Sequence, residues 1–198
     1  MTYPVITIGR EFGSGGRLVG RRLAQELGIP FYDKELIAMA AEETGFSEEF
    51  IRENEQKRTS GFLANLYFNA PQNLPMSDQV FIAQSNIIKK VAKEGSCIIV
   101  GRCADYVLAE QPHCLHVFIH APLEERIRRV KEFYGLDLED VRSYILRQDK
   151  DRASYYNYFA SGEWGRCQNY DLSINSGLGL DTVVHVIREL AEKQKTAD

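Results

Sequence analysis

Four glycines within eight residues, close to the start of the chain, constrain the fold more than any other feature of the sequence. They fall in GREFGSGG (9–16), after the apolar run 5–8 and before an amphipathic segment that ends at Gly28. This order predicts a strand over 4–9, a glycine-rich turn, and a helix over 16–27. Such a turn directs backbone N–H groups and a helix N-terminus towards a phosphate. The alternative is a turn that merely connects the strand to the helix.

The loop departs from the phosphate-loop pattern GxxxxGK[ST] at the lysine. The best register places Arg10 at the first glycine and Gly15 at the second. Gly16 then takes the lysine position and Arg17 the hydroxyl position. In the pattern, the lysine reaches the β- and γ-phosphate oxygens and the hydroxyl reaches magnesium. We expect Arg17 or Arg21 to supply the missing cation, although arginine and lysine are not interchangeable.

Composition narrows the class of protein. A chain of 198 residues suits one domain with a substantial core, and a formal net charge of −4 argues against nucleic-acid binding through bulk positive charge. No apolar run approaches the length of a membrane span, and no secretory signal is evident. The four cysteines show no CxxC spacing, so we interpret them as reduced thiols in a cytoplasmic protein that has no cysteine or histidine metal site.

Short apolar runs alternate with amphipathic segments along the chain. They predict further strands over 30–32, 96–100, 115–119 and 171–174. They predict further helices over 33–44, 47–57, 77–94, 122–134, 138–158 and 181–194, the last capped by Asp181, with an irregular, mobile segment over 58–76. This alternation is typical of an α/β protein whose parallel sheet is covered on both faces, with ligands at the carboxyl ends of the strands.

Two segments, ITIGREFGSGGR (6–17) and GIPFYDKELI (28–37), resemble the cytidylate kinase-like family of P-loop nucleoside-monophosphate kinases. The resemblance runs over about residues 4–192. It implies an α/β P-loop NTPase-type fold of three layers, in which a five-stranded parallel sheet carries helices on both faces. It also implies one domain over 1–198, with a helical acceptor-binding insert over about 34–94 and a lid over about 134–165.

The resemblance also assigns residues to an acceptor. Gly101 and Arg102 resemble the GRD segment of cytidylate kinases, whose arginine holds the phosphate of the acceptor nucleotide, although Cys103 stands where the aspartate is expected. Asp105 is a candidate replacement for that aspartate. Asp33 lies where the family begins its insert, and it is expected to bind a sugar or base, to cap the following helix, or both. The alternative for Arg102 is a surface salt bridge.

Arginines at 126–129 and 147–152 resemble the lid of these kinases, which closes over the phosphates. Helical spacing places Arg147 and Asp151 on one face. The alternative is a solvated face with ion pairs, which we apply to Arg126 and Arg129 more than to 147–152. Arginines of this kind neutralise charge on the transferring phosphoryl group.

Aromatic residues follow the second arginine cluster, at 155–159 and Trp164. They suit either stacking on a base or packing in a core, and we favour packing. Asn175 follows the last strand, where the family has its adenine pocket, although a plain loop explains it equally well.

The sequence therefore predicts a phosphotransferase that uses ATP and Mg²⁺ to phosphorylate a nucleotide or small acceptor, with CMP as the default. The predicted catalytic residues are Arg17, Arg147, Asp151 and Arg152. The predicted nucleotide-binding residues are Gly13, Ser14, Gly15, Gly16, Arg17 and Asn175, with magnesium arriving on the nucleotide and the Ser14 hydroxyl as its candidate contact. The predicted acceptor-binding residues are Asp33, Arg102 and Asp105.

The loss of the lysine at Gly16 favours a second hypothesis, a nucleotide-binding or regulatory protein without kinase turnover. We expect nucleotides as partners, and neither nucleic acid nor a membrane. Neither a homodimer nor a choice between ATP and GTP follows from the sequence.

Overall fold

The computed structural model of the chain describes residues 2–56, 75–136, 139–160 and 162–196. Most of the segment expected to be irregular, 57–74, lies outside the described residues. The strands are β1 (Val5–Arg10), β2 (Phe31–Tyr32), β3 (Ile98–Val100), β4 (Cys114–His120) and β5 (Leu172–Asn175). The helices are α1 (Gly16–Leu27), α2 (Glu35–Thr44), α3 (Glu48–Gln56), α4 (Met76–Glu94), α5 (Ala104–Val107), α6 (Leu123–Phe133), α7 (Val141–Phe159) and α8 (Leu180–Lys193).

The strands form one parallel sheet in the order β2-β3-β1-β4-β5. β1 lies in the middle, where Ile6 is aligned with Ile98 of β3 on one side and Leu115 of β4 on the other. The glycine-rich turn therefore leaves the carboxyl end of the central strand, between two neighbours. This confirms the predicted five-stranded parallel sheet.

Alternate residues of each strand supply two separate cores, one on each face of the sheet. In β3, Ile98 and Val100 belong to the core under α1 and α8, whereas Ile99 belongs to the core under α2, α3 and α4. Each of these side chains is 0% exposed. Burial on both faces explains why the strands read as continuous apolar runs, and it confirms the predicted three layers.

The helices of the predicted acceptor insert pack on the sheet. Leu36 of α2, Ile51 of α3 and Ile88 of α4 are 0% exposed and share a core with Ile99 of β3. These helices thus form one of the two outer layers. The boundaries of the insert, about 34–94, and of the lid, about 134–165, stay predictions.

Two helix ends differ from expectation or refine it. α8 begins at Leu180, so Asp181 lies in its first turn and does not cap it; its carboxylate accepts a hydrogen bond from Arg22 instead. α7 is capped by Asp140, whose Oδ1 accepts from the Ser143 backbone N at 2.9 Å. A glycine before Leu180 lets the chain enter the helix without a side-chain cap.

The cysteines and the helices bear on two further expectations. Cys97, Cys103, Cys114 and Cys167 are all unpaired. Among the described residues, no helix combines the length and the apolar character needed to cross a membrane.

Candidate active site

The turn between β1 and α1 has the geometry of a phosphate-binding loop. Gly13 and Gly15 have φ of 79° and 83°, a left-handed conformation that glycine adopts without strain. A Cβ on Gly13 would also lie 3.1 Å from Arg126 Cβ, and one on Gly15 would lie 2.7 Å from Leu180 Cδ2. α1 begins directly after Gly15, and the N–H groups of its first turn have no intrahelical acceptor. The loop therefore presents backbone donors to any anion above it.

Two arginines of α6 point inward, against the loop. Arg126 and Arg129 are each 6% exposed. Arg129 Nη1 donates to the carbonyl oxygen of Gly13 at 2.8 Å, and Arg126 Nη1 donates to that of Phe12 at 3.3 Å. The expectation of a solvated helix face is therefore wrong for these two residues. It holds for Arg128 between them, whose side chain is 58% exposed.

Asp149 of α7 joins that helix to the loop. Its Oδ1 accepts a hydrogen bond from the Phe12 backbone N at 2.7 Å, and its Oδ2 accepts one from Arg126 Nη1. Arg126 Nε also lies 3.5 Å from Oε2 of Glu11, which accepts from the Ala121 backbone N at 3.0 Å. One network thus connects the loop with α6, α7 and the segment after β4.

Arg152 and Arg129 are cations that lack an adjacent counter-charge. In the described part of the chain, neither guanidinium has a carboxylate within 4.0 Å. Burial lowers the pKa of both, and more distant charges, such as Asp149 for Arg152 and Glu125 for Arg129, oppose only part of that fall. Arg152 Nη1 donates to the Arg10 carbonyl oxygen at 3.1 Å, and its guanidinium lies 5.2 Å from the ring centroid of Phe12. Such cations are suited to binding an anion, which would supply the missing charge.

The carboxylate of Asp33, buried just after β2, faces three arginines. Its Oδ2 lies 2.6 Å from Arg17 Nε, and its Oδ1 lies 3.7 Å from Arg102 Nη1 and 4.0 Å from Arg10 Nη2. The Arg102 side chain is 11% exposed, so a surface salt bridge does not describe it. α2 begins at Glu35 without a side-chain cap hydrogen bond, so the cap proposed for Asp33 is not observed.

Asp105 and Tyr156 form a buried pair beside these arginines. Tyr156 Oη donates to Asp105 Oδ2 at 2.8 Å. Burial raises the pKa of the Asp105 carboxyl, and the hydrogen bond from Tyr156 opposes part of that rise. Burial together with the Asp105 carboxylate raises the pKa of the Tyr156 hydroxyl.

Two cavities meet at Arg10 and Arg152, which line both. The first, here called the loop cavity, has a volume of about 480 Å³ and lies over the glycine loop. The second, the aromatic cavity, has a volume of about 260 Å³ and lies at the carboxyl ends of β1 and β3. Besides the two shared arginines, the loop cavity is bordered by Gly13, Gly15, Gly16, Arg17 and Asp33, and the aromatic cavity by Arg102, Asp105, Asp151, Tyr155, Tyr156 and Trp164.

Three predicted site residues lie outside the linings of these cavities. Arg147 is exposed on α7. Asn175 Oδ1 accepts from the Gly177 backbone N at 2.8 Å. Ser14 is 0% exposed, and its hydroxyl donates to the Glu11 carbonyl oxygen at 2.9 Å. Their predicted roles stay predictions.

The aromatic segment packs, as expected. Phe159 stacks on Phe81 of α4, with ring centroids 4.0 Å apart. Tyr155 also packs edge-on against Phe159, and Trp164 against Phe118, while both line the aromatic cavity. Stacking of these rings on a base stays a prediction.

Sequence reasoning missed several residues of this site, namely Arg10, Glu11 and Asp149, and it gave Arg129 less weight than the arginines at 147–152. Arg10 was noted only as a departure from the first glycine of the pattern. The signal present in the sequence is Arg10 at the first-glycine position of the phosphate-loop pattern, together with Gly16 at its lysine position.

Comparison with known proteins identifies the family. A family model described as the cytidylate kinase-like family matches residues 5–178. The chain belongs to the cytidylate kinase-like family. The predicted family is thereby confirmed.

Relatives within the cytidylate kinases are distant. The chain is 29% identical over 182 residues to a cytidylate kinase of Methanopyrus kandleri, covering 87% of this chain and 84% of that protein. It is 23% identical over 188 residues to a cytidylate kinase of Ignicoccus hospitalis, covering 94% of this chain and 98% of that protein.

Solved structures agree on the fold of this cytidylate kinase-like chain. An uncharacterized protein from Eubacterium ventriosum superposes with a TM-score of 0.73 at 29% identity, covering 96% of this chain and 98% of that one. Shikimate kinase from Bacteroides thetaiotaomicron superposes with a TM-score of 0.58 at 16% identity, covering 96% and 99%. These structures support a kinase-like fold for the chain.

Proposed function

We propose that this protein transfers the γ-phosphoryl group of ATP to a nucleotide or small acceptor, with CMP as the first candidate. The observation that carries the proposal is the meeting of the loop cavity and the aromatic cavity at Arg10 and Arg152. A phosphoryl donor and an acceptor bound in adjoining cavities would present their reacting groups to each other at these two cations. Positioning and charge neutralisation are what phosphoryl transfer requires of a protein.

The loop cavity is the proposed donor site. Backbone N–H groups between Gly13 and Arg17 would hold the phosphates, and Arg129 and Arg152 would offset their charge. Magnesium would enter on ATP. The Ser14 hydroxyl donates its proton to the Glu11 carbonyl, and the lone pairs of its oxygen would contact the ion. Asn175 is proposed to lie beside the adenine.

The aromatic cavity is the proposed acceptor site. Arg102, with its planar guanidinium, suits an acceptor phosphate, and the rings of Tyr155 and Trp164 suit the face of a base. Asp105 and Asp33 are proposed to accept hydrogen bonds from the sugar or base. Of these carboxylates, Asp105 borders the aromatic cavity and Asp33 the loop cavity.

The proposed transfer is a single displacement at the γ-phosphorus. An oxygen of the acceptor phosphate forms the new bond as the bond to the β–γ bridging oxygen breaks, and ADP leaves with that electron pair. Arg152, with Arg17, Arg147 and Asp151 of the predicted set, would offset charge or orient the groups. Arg147 would have to turn from the exposed face of α7 to take part.

A second candidate function is nucleotide binding without turnover. It is favoured by Gly16 at the lysine position and by the contact of Asp33 with Arg17, which places a negative charge at the border of the loop cavity. Such a protein would bind ATP and respond to no acceptor.

The experiment that separates the two is an assay of ADP release from MgATP, or of GDP release from MgGTP, against CMP, dCMP, UMP, AMP, GMP and free nucleosides. We expect ADP release that depends on one acceptor, CMP first. Arg102→Ala should raise the KM of that acceptor with little change in the KM of ATP, whereas the exposed control Arg128→Ala should match the wild type. ATP binding without release across the whole panel would contradict the proposal and support the second candidate.

A cytoplasmic location stays a prediction.

A further inference from the structure

Arg10 lies over the position that the pattern reserves for lysine. A Cβ on Gly16 would come within 2.7 Å of Arg10 Cβ and 3.1 Å of its Cγ. Gly16 is the first residue of α1. No left-handed φ explains glycine there, since Gly16 is absent from the residues with positive φ. The Arg10 side chain does explain it, because it fills the space that a side chain at position 16 would need.

A second glycine makes room for the other end of the same side chain. A Cβ on Gly101, at the end of β3, would lie 1.8 Å from Arg10 Nη1 and 2.8 Å from its Cζ. Gly101 also has φ of 75°, so glycine is required there on two counts. The Arg10 side chain thus runs from the end of β1, over the start of α1, to the end of β3.

This path brings the Arg10 guanidinium to the junction of the two cavities, both of which it lines. Arg17, the competing candidate, borders the loop cavity alone. Its side chain is 41% exposed and its Nε contacts Asp33 at 2.6 Å, whereas Arg10 Nη2 is 4.0 Å from that carboxylate.

We propose that Arg10 binds the β- and γ-phosphate oxygens of the nucleotide, as the lysine of the phosphate loop does. Compared with the pattern, the cation stands at the position of the first glycine and not at the position after the second glycine. Glycine stands at the lysine position. Arg10 would bind the polyphosphate whether or not the protein turns over ATP. Its role in phosphoryl transfer rests on the proposed function. A guanidinium offers forked donors to two oxygens at once, which an ammonium does not.

The exchange predicts a reciprocal rescue. Arg10→Gly should weaken binding of ATP by about 10- to 100-fold, as expected for loss of hydrogen bonds from a charged donor, and should change binding of AMP little. Gly16→Lys alone should also weaken ATP binding, because the new side chain meets Arg10. The double variant Arg10→Gly/Gly16→Lys restores the pattern GxxxxGK and should recover most of the ATP affinity.

Isothermal titration calorimetry, with ATP and AMP titrated separately, measures binding without turnover, so silence in the turnover assay would refute the proposed function and leave this measurement intact. Arg128→Ala is the matched surface control, and thermal unfolding checks each variant. If Arg10→Gly does not fold, Arg10→Met keeps the stem over Gly16 and tests the same loss. Three outcomes would overturn the proposal. The ratio of ATP to AMP affinity could stay unchanged in the Arg10 variants, or it could fall in Arg17→Ala and not in them. The third is a double variant that binds ATP no better than Arg10→Gly does.

Discussion

At the scale of the residue, a single buried carboxylate holds several cations in place. Asp33 contacts Arg17 and Arg102 and lies 4.0 Å from Arg10. Without it, three positive charges would face one another across a small volume. The carboxylate therefore acts as an internal anion that any phosphate entering the site must share or displace.

Asp33→Asn should lower the free energy of unfolding by about 2 kcal/mol, because the partly buried Arg10 and Arg102 lose the Asp33 charge, while the half-exposed Arg17 is screened by water. Inorganic phosphate should restore more stability to this variant than it adds to the wild type. Urea denaturation with and without phosphate measures both effects. Asp181→Asn, at a carboxylate that is 83% exposed, is the control and should change stability by less than about 1 kcal/mol. Equal phosphate effects in all three proteins would contradict the prediction.

Asp105 should give stability a distinct pH dependence. Burial raises the pKa of its carboxyl, so the folded chain keeps this proton to higher pH than the unfolded chain, which releases it near about pH 4. Between the two pKa values the folded state binds more protons, and this group therefore makes stability fall as pH rises. Asp105→Asn removes that slope and keeps an acceptor for Tyr156. Its stability relative to the wild type should rise with pH in denaturation series above about pH 4; a constant difference would refute this.

At the scale of the element, helix α7 is joined to the phosphate loop by the side chains of Asp149 and Arg152. Asp149 accepts from the Phe12 backbone and from Arg126, and Arg152 donates to the Arg10 carbonyl. These contacts therefore couple α7 to the loop, and they restrain displacement of the loop.

Asp149→Ala should destabilise the protein by about 3 kcal/mol, because Arg126 is left buried with only the more distant Glu11. It should also weaken ATP binding, since the loop loses the support of α7. Asp140→Ala removes only the cap of the same helix and should destabilise the protein less than Asp149→Ala does, with unchanged ATP affinity. Chemical denaturation and calorimetry on the two variants compare these effects. Similar losses of ATP affinity in both would show that the helix as a whole matters, and not Asp149.

The sheet and its helices were predictable because their signals are local. Apolar runs and glycines at 4–16 mark β1 and its turn within one short window. The inward direction of Arg126 and Arg129 was not predictable, since charge spacing on α6 is the same whether the face meets water or a loop more than 100 residues away. The path of Arg10 depends likewise on Gly101, which only the parallel sheet brings near.

At the scale of the whole molecule, binding and stability oppose each other. Arg129 and Arg152 are cations without adjacent carboxylates in the described part of the chain, and burial lowers their pKa values. The empty protein carries this cost, and an anionic ligand relieves it.

Arg152→Met should therefore leave the melting temperature of the ligand-free protein equal to or above that of the wild type. The rise in melting temperature with ATP, equivalent to about 2.7 kcal/mol at a ligand concentration of 100 times Kd, should be largely lost. Thermal unfolding with and without ATP measures both quantities, with Arg128→Ala as the reference. A strongly lowered melting temperature without ligand would show that the contacts of Arg152 with Phe12 and Arg10 outweigh its burial.

The position of β1 in the sheet gives the two halves of the site unequal mechanical character. β1 is bonded on both sides and covered on both faces, so it opens only when the whole domain opens. β2 comprises two residues at the sheet edge and opens at far lower cost. Arg10 is thus anchored to the central strand of the sheet, whereas Asp33 follows a two-residue strand at its edge. The proposed phosphate contact of Arg10 therefore has the firmest support that the sheet offers.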